Sequence, residues 1–345
     1  MEWIKSKGPG VGICLVIGGI AWLLGKGLPL IGGPVFGITL GMVLTAILPS
    51  GKGRSRLTEG VAFSSKKLLQ GAIILLGFEM NLFRVFQVGS QSLLLIIGTL
   101  AAAFVTALVV SRFLKTDRNM TILIGVGTAI CGGSAIAATA PVIRARDEEI
   151  AHAISTIFLF NIGAVFLFPA LGHLMGMTDA GFGLFAGTAI NDTSSVVAAA
   201  AAWSQTAGSN EALAMATIVK LTRTLMIIPI TLALSLITTR RERTGADNNE
   251  VGKKADYSIV RIFPWFIIGF LGASLIHTIL PMPELSGWLV GGGKFLIIVA
   301  MAGIGWNTNL KRLLTNGFRP ILLGLCCWFS VSVASVILQK ILMMW

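Results

Sequence analysis

The chain is dominated by apolar runs of about 20 residues that alternate with short clusters of charge. A helix of about 20 apolar residues spans the hydrocarbon core of a bilayer. Backbone groups within lipid must be hydrogen-bonded inside their own segment, so the runs predict helices. The sequence therefore predicts an all-α polytopic membrane protein, a single transmembrane domain over residues 1–345. Its hydrophobic segments, about 11 in all, lie at about 11–25, 29–48, 66–88, 91–113, 120–144, 150–174, 181–203, 211–238, 258–281, 290–310 and 317–344.

The composition excludes soluble classes of protein. Charged residues make up 12% of the chain and hydrophobic residues 54%, whereas an ordinary soluble domain has about 25% charged residues. The four cysteines all lie in apolar segments without metal-ligand partners, so we expect neither a disulfide framework nor a metal site. The sequence has no His-Glu-x-x-His motif, and Gly291–Lys294 lacks the spacing of a phosphate-binding loop. We expect neither an enzyme nor a cofactor.

The net charge of +12 arises from clusters at the ends of the apolar runs. If the N-terminus lies inside, most of the 27 Lys and Arg residues fall on the inner face, as the positive-inside rule requires. This placement explains the charge without a nucleic-acid partner and makes the bilayer the expected environment. It predicts a cytoplasmic N-terminus, an external C-terminus and a cytoplasmic loop at about 240–257. The oligomeric state is left open, with a homodimer as one option.

Two apolar segments are interrupted by small and polar residues, and each is predicted to form two half-helices around an unwound centre. The interruptions are Gly132-Gly133 in segment 120–144 and Asn191-Asp192-Thr193 in segment 181–203. The same tetrapeptide, GTAI, precedes both breaks at a spacing of 60 residues, and GFEMNLFR at 77–84 is echoed by GWNTNLKR at 305–312. These echoes indicate inverted repeats. We favour re-entrant hairpins for the broken segments, because hairpins let the two GTAI copies enter from opposite faces; full crossings are the alternative.

The run GTAICGGSAIAATAPVI, followed by GTAINDTSSVVAAA, resembles the YeiH family of bacterial inner-membrane proteins, which are described as sulfate exporters. The resemblance covers nearly the whole chain, including GFEMNLFR and GIGWNTNLKR. It implies a location in the bacterial inner membrane and the export of sulfate or a sulfonate-related anion. More loosely, the broken segments are similar to those of bile-acid/sodium symporters and sodium/proton antiporters, a similarity that concerns the fold alone.

The candidate substrate-binding residues cluster at the two breaks and on segment 211–238. A half-helix that begins inside the membrane directs free N–H groups and the positive end of its dipole at the break, and such ends bind anions. Arg suits sulfate or carboxylate because its planar group donates two parallel hydrogen bonds. Simple capping and close helix packing are the alternative roles of these residues. The predicted site comprises Cys131, Gly132, Gly133, Ser134, Asn191, Thr193, Ser194, Ser195, Lys220 and Arg223.

Asp192 is an acid in the middle of an apolar segment. A charge there costs about 2.5–3.5 kcal/mol unless it is paired, hydrated or protonated. We therefore expect Asp192 to bind a coupling ion, H⁺ or Na⁺. A helix cap, or an ion pair with Lys220 or Arg223, is the alternative.

These observations predict a secondary transporter of a small anion that works by alternating access. A proton- or sodium-coupled importer of an organic anion on the same fold is the closest alternative. A channel and a membrane-embedded enzyme are further alternatives. The enzyme would need a nucleophile–base pair or a metal cluster, and the sequence shows neither beside Asp192.

Overall fold

The computed structural model describes residues 2–28, 32–47, 52–243, 264–308 and 317–345, and no strand occurs among them. Within these ranges, seven helical stretches are long and apolar enough to cross a membrane. This confirms the prediction of an all-α polytopic membrane protein. The predicted loop at about 240–257 lies outside the described residues except for its first four positions, which end a helix.

The described residues are mostly helical. In chain order the helices are α1 Glu2–Gly27, α2 Gly33–Ile47, α3 Lys52–Phe63, α4 Leu69–Leu76, α5 Leu82–Leu114, α6 Arg118–Ala129, α7 Gly133–Thr139, α8 Asp147–Leu174, α9 Asp179–Ala189, α10 Thr193–Ala207, α11 Glu211–Leu225, α12 Ile227–Arg243, α13 Phe266–Ile279, α14 Pro283–Asn307 and α15 Phe318–Ile341. A π-helical turn, Ser64–Leu68, joins α3 to α4.

Two segment boundaries differ from the sequence prediction. The break between the third and fourth predicted segments falls at residues 77–81, where Asn81 caps α5 by accepting a hydrogen bond from Phe83 N at 2.8 Å. The predicted segment 211–238 is divided at Met226. Pro229 explains this division, because its missing N–H leaves the carbonyl four residues earlier without its helical donor.

The helices pack into two groups that meet along a cavity. The scaffold bundle consists of α1–α4, α13 and α14, and it contains a small apolar core around Cys14 and Trp306. The hairpin bundle consists of α5–α12 and α15. The main packing between the bundles is that of α10 against α2 and α14.

Candidate functional site

The first broken segment folds back on itself. A Cβ atom at Gly127 in α6 would lie 2.9 Å from Ile136 Cδ1 in α7, so the second half-helix returns along the first. Asn119 Nδ2, at the start of α6, donates a hydrogen bond of 3.2 Å to Glu149 Oε2, at the start of α8. Both ends of the segment therefore lie at one face of the molecule, and the segment is a re-entrant hairpin. Its tip turns at Gly132, whose φ of +69° suits glycine.

The second broken segment is also a hairpin, but it enters from the opposite face. Trp203 Nε1, late in α10, donates to Asp179 Oδ1, at the start of α9, at 2.8 Å. Between the hairpins, α8 runs for 28 residues, or about 42 Å, and carries the chain from one face to the other. Thr178 Oγ1 donates to the carbonyl of Trp345 at 3.1 Å, so the chain's last residue lies at this second face. The preferred hairpin arrangement is thus confirmed.

The tips of the two hairpins touch. A Cβ atom at Gly132 would lie 3.5 Å from Asp192 Cβ. Asn161, on α8, supports the second tip, because its Oδ1 accepts hydrogen bonds from Asn191 N at 3.1 Å and Asp192 N at 3.2 Å. The sequence analysis did not single out Asn161, which is a lone amide in an apolar helix. The tips therefore form one junction deep within the molecule, as the duplicated breaks predict.

Lys220 lies behind this junction and ties the two hairpins together. Its Nζ atom donates to Ile130 O at 2.8 Å, to Ile190 O at 3.0 Å and to Asn191 O. An ammonium group has three N–H donors, so these bonds use all of them. The Lys220 side chain has no exposed surface.

Arg223 binds the same two half-helix ends one turn further along α11. Its Nε donates to Ala129 O at 2.5 Å, its Nη2 to Thr128 O at 2.6 Å, and its Nη1 to Thr188 O. The C-terminal carbonyls of α6 and α9 lack helical donors, and each helix end carries about −0.5 charge. Arg223 is fully buried like Lys220. Both cations thus satisfy backbone carbonyls of the two hairpins.

This position differs from the one expected from the sequence. Among the described residues, neither Lys220 nor Arg223 forms an ion pair with Asp192 or with another acid. Neither side chain lines the cavity. The physical reason is that uncapped carbonyls at two helix ends offer six short hydrogen bonds, whereas the Asp192 carboxylate is already bonded locally.

Glycines on α9 allow α11 to approach closely enough for these contacts. A Cβ atom at Gly183 would lie 2.8 Å from Ala212 O, and one at Gly187 would lie 2.8 Å from Val219 Cβ. Two small residues four apart are a common device for close packing of membrane helices. The close approach of α11 to α9 places Lys220 and Arg223 against the C-terminal end of α9.

A cavity of about 1120 Å³ lies between the two bundles and extends to the hairpin tips. Six of the predicted site residues line it: Cys131, Gly133, Ser134, Asp192, Thr193 and Ser194. The other predicted residues, Gly132, Asn191, Ser195, Lys220 and Arg223, lie behind that surface. The structure thus brings all of them to one junction but divides them into a surface layer and a buried layer.

The opposite wall of the cavity comes from the scaffold bundle. Its polar lining residues there are Ser65, Lys66, Gln70, Asn307 and Thr308. The sequence analysis named none of them as site residues, although Asn307 and Thr308 belong to the 305–312 echo. Lys66 and Gln70 lie four residues apart and so share a helix face. This spacing alone does not distinguish residues that line a cavity from residues at the solvent-exposed end of a helix. Ser155 adds a hydroxyl from α8.

Asp192 caps α10 and also faces the cavity. Its Oδ2 atom accepts a hydrogen bond from Ser194 N at 3.0 Å and a second from Ser194 Oγ. The capping alternative is therefore present in the structure. Because both bonds go to Oδ2, Oδ1 has no donor among the described residues. Asp192 thus combines a local structural contact with an oxygen that is free to meet a ligand.

Polar contacts hold the two bundles together on the face away from the cavity. Asn210, between α10 and α11, donates to Glu79 Oε1 and accepts from Lys294 Nζ. Gln205 Oε1 accepts from Gly33 N at 2.8 Å. Glu79, Lys294 and Gly33 belong to the scaffold side, and Gln205 and Asn210 to the hairpin bundle. We call these contacts the closing network.

These features define a class: a polytopic helical membrane protein whose two re-entrant hairpins meet, tip to tip, at the inner end of a cavity. The chain matches the family model described as "Conserved hypothetical protein 698" over residues 9–324. The chain belongs to this family, the UPF0324 membrane proteins, which is the YeiH family indicated by the sequence motifs.

Curated relatives cover almost the full length of the chain. The UPF0324 membrane protein of Fusobacterium nucleatum is 46% identical, covering 98% of this chain and 99% of that protein. The one from Streptococcus pyogenes serotype M18 is 48% identical, covering 98% of each, and one from Streptococcus agalactiae serotype V is 46% identical, covering 99% of each. No solved structure matches the chain.

Proposed function

We propose that the protein is a secondary transporter of a small anion that works by alternating access. The observation that carries this proposal is the cavity that ends at the tips of two oppositely inserted hairpins. Carriers built on inverted repeats place their substrate where such discontinuous helices converge. A carrier whose cavity is open on one face must be closed on the other, and the closing network provides such contacts. It favours a carrier over a channel, and the proposal includes no enzymatic step.

The charges at the junction support an anion as the substrate. Lys220 and Arg223 contribute two positive charges, the C-terminal ends of α6 and α9 together contribute roughly −1, and an ionised Asp192 contributes −1, so the junction has a net positive charge when Asp192 is protonated. Asp192 is the one acid among the described residues that line the cavity. Hydroxyl groups of Ser134 and Thr193 are available as neutral donors. We propose sulfate or a sulfonate-related anion as the substrate.

Asp192 supports a second candidate on the same fold, an importer of an organic anion coupled to H⁺ or Na⁺. Asp192 lines the cavity, and its Oδ1 atom has no protein donor among the described residues. A carboxylate in that position can take up a proton or ligate a cation together with the substrate. The two candidates differ in substrate and direction, and both use the same site.

Reconstituted protein tests this function. Proteoliposomes loaded with unlabelled sulfate should take up labelled sulfate at a rate that saturates, and sulfite, sulfonates and carboxylates should compete according to their affinity. The Ser134→Ala/Thr193→Val double variant removes two hydroxyls at the tips and should weaken uptake at least tenfold. Ser209→Ala, on the opposite face, is the matched control. Flux that never saturates, or flux equal to that of empty liposomes for every anion, contradicts the proposal.

A further inference from the structure

The surroundings of Lys220 are those of a bound cation. Three backbone carbonyls, from Ile130, Ile190 and Asn191, converge on its Nζ atom. They come from both hairpins, at the points where the helices are unwound. In carriers with broken helices, unwound carbonyls and half-helix C-terminal ends coordinate the coupling Na⁺. Here the same kind of oxygen cage holds a positive charge that is attached to the chain.

We infer that Lys220 is a built-in replacement for an alkali cation at the hairpin junction, so that the protein binds its substrate without Na⁺. The part of the inference that concerns substrate binding rests on the proposed carrier function, whereas the carbonyl cage around Lys220 is a feature of the structure. A tethered cation holds the tips together in every state of the cycle, whereas a free cation would hold them only when bound. The coupling ion left to Asp192 is then the proton.

Most of the other backbone carbonyls at the junction already accept hydrogen bonds from Arg223. Arg223 takes the carbonyls of Thr128, Ala129 and Thr188. Asp192 Oδ2 is bonded to Ser194, which leaves Asp192 Oδ1, Asn191 Oδ1 and the hydroxyl groups, of which Thr128 Oγ1 is buried without a partner. Among the described residues, no group of three or more His, Cys, Asp or Glu side chains surrounds a common point. Two buried positive charges next to this position also repel a further cation.

The test is the melting temperature of the purified protein at constant ionic strength, with NaCl replaced by choline chloride or ammonium chloride. Wild-type protein should melt at the same temperature in Na⁺ and in choline. Lys220→Ala should melt lower, and ammonium or Na⁺ should raise its melting temperature, because a small cation can enter the emptied cage and stabilise the folded state by mass action. Choline is too large to do so. Lys66→Ala removes a lysine from the cavity rim and should show no cation-specific response.

Two outcomes overturn the inference: a Na⁺-specific rise in the melting temperature of the wild-type protein, or a folded Lys220→Ala that responds equally to ammonium, Na⁺ and choline. If Lys220→Ala cannot be purified, the wild-type comparison decides alone. Adding sulfate separates this inference from the proposed function. If sulfate raises the melting temperature of the wild-type protein and Na⁺ also raises it specifically, the carrier function is supported and the inference about Lys220 is wrong. If the melting temperatures show the expected response to cations but no anion stabilises the wild-type protein, the tethered cation is supported and the proposed carrier function is not.

Discussion

Lys220 and Arg223 are buried at the level where the hairpins meet, and their charges are balanced by backbone carbonyls rather than by acids. Moving an unpaired charge to the centre of a membrane costs about 2.5–3.5 kcal/mol on insertion scales. Hydrogen bonds from charged donors recover about 1.5–3 kcal/mol each. With six such bonds, the Lys220 and Arg223 side chains stabilise the contact between the two hairpins.

Removing Arg223 should therefore destabilise the protein whatever happens to Asp192. Arg223→Ala leaves carbonyls of Thr128, Ala129 and Thr188 without donors and should lower the free energy of unfolding by about 2–4 kcal/mol. The measurement is the melting temperature of Arg223→Ala with and without Asp192→Asn. We expect no recovery in the double variant, because the Arg223 side chain does not contact Asp192. Full recovery would show that the two residues form an ion pair after all.

Asp192 caps α10, and we propose that it also binds the coupling proton; two substitutions separate these roles. Asn is as good an N-cap as Asp, so Asp192→Asn should change stability by less than about 0.5 kcal/mol, whereas Asp192→Ala should cost about 1 kcal/mol. If Asp192 also carries the coupling proton, Asp192→Asn should abolish the response of flux to an imposed pH gradient. Flux assays in proteoliposomes measure this, with Asp179→Asn as the control acid. Asp192→Asn with wild-type flux and an unchanged pH response would reduce Asp192 to a cap.

At the scale of elements, the close packing of α9 against α11 sets the position of both cations. Gly187→Ala would place a Cβ atom 2.8 Å from Val219 Cβ and 3.0 Å from Ala216 O, so α11 must shift. We expect a loss of about 1–3 kcal/mol in stability and weaker anion binding. Gly291→Ala in α14 is the matched control, because nothing lies within 4 Å of its added Cβ, and it should be neutral or stabilise by up to about 1 kcal/mol. Thermal denaturation that ranks the two variants equally would contradict this account.

The broken helices could be predicted from sequence because their breaks use residues with strong local preferences. Gly132 adopts a positive φ, and Asp192 is a good N-cap for the helix that follows. The reversal of the chain at each break is less visible, because it depends on contacts such as Ile136 against Gly127. Charge counting alone therefore left hairpins and crossings both open.

The roles of the cations and the far wall of the cavity could not be predicted in the same way. Backbone carbonyls that bind Lys220 and Arg223 leave no mark in the sequence, since every residue has one. An acidic side chain can be identified in a sequence, so Asp192 was the expected ion-pair partner of Lys220 or Arg223. Lys66 and Asn307 reach the cavity only because the π-helical turn Ser64–Leu68 and α14 pack side by side in the scaffold bundle. Contacts between distant segments of this kind require the fold.

At the scale of the whole molecule, the cavity and the closing network lie at opposite ends of the surface between the two bundles. Alternating access then requires the bundles to separate on one face as they close on the other. Asn210 is the member of the network that bonds both Glu79 and Lys294 across this surface. Its loss should favour opening on that side.

Asn210→Ala should therefore raise the rate at which a membrane-impermeant thiol reagent, added at the closing-network face, reaches a cysteine at the tips. The reporter is Ser134→Cys in a Cys131→Ala background, because Ser134 is exposed to the cavity. We expect an increase of several-fold. Ser209→Ala is the control, since the Ser209 hydroxyl accepts a bond only from the neighbouring Glu211 N among the described residues. Equal labelling rates in the two variants would remove the closing network from the transport cycle.

The same reporter tests whether the hairpin tips are the anion site. The measurement is the labelling rate of Ser134→Cys from the cavity side, with and without saturating sulfate, beside Thr206→Cys on the other face. If the tips bind the anion, sulfate should slow labelling at position 134 several-fold and leave position 206 unchanged. If sulfate and the other anions that show saturable flux all leave the labelling of Ser134→Cys unchanged, the substrate binds elsewhere and the account is wrong.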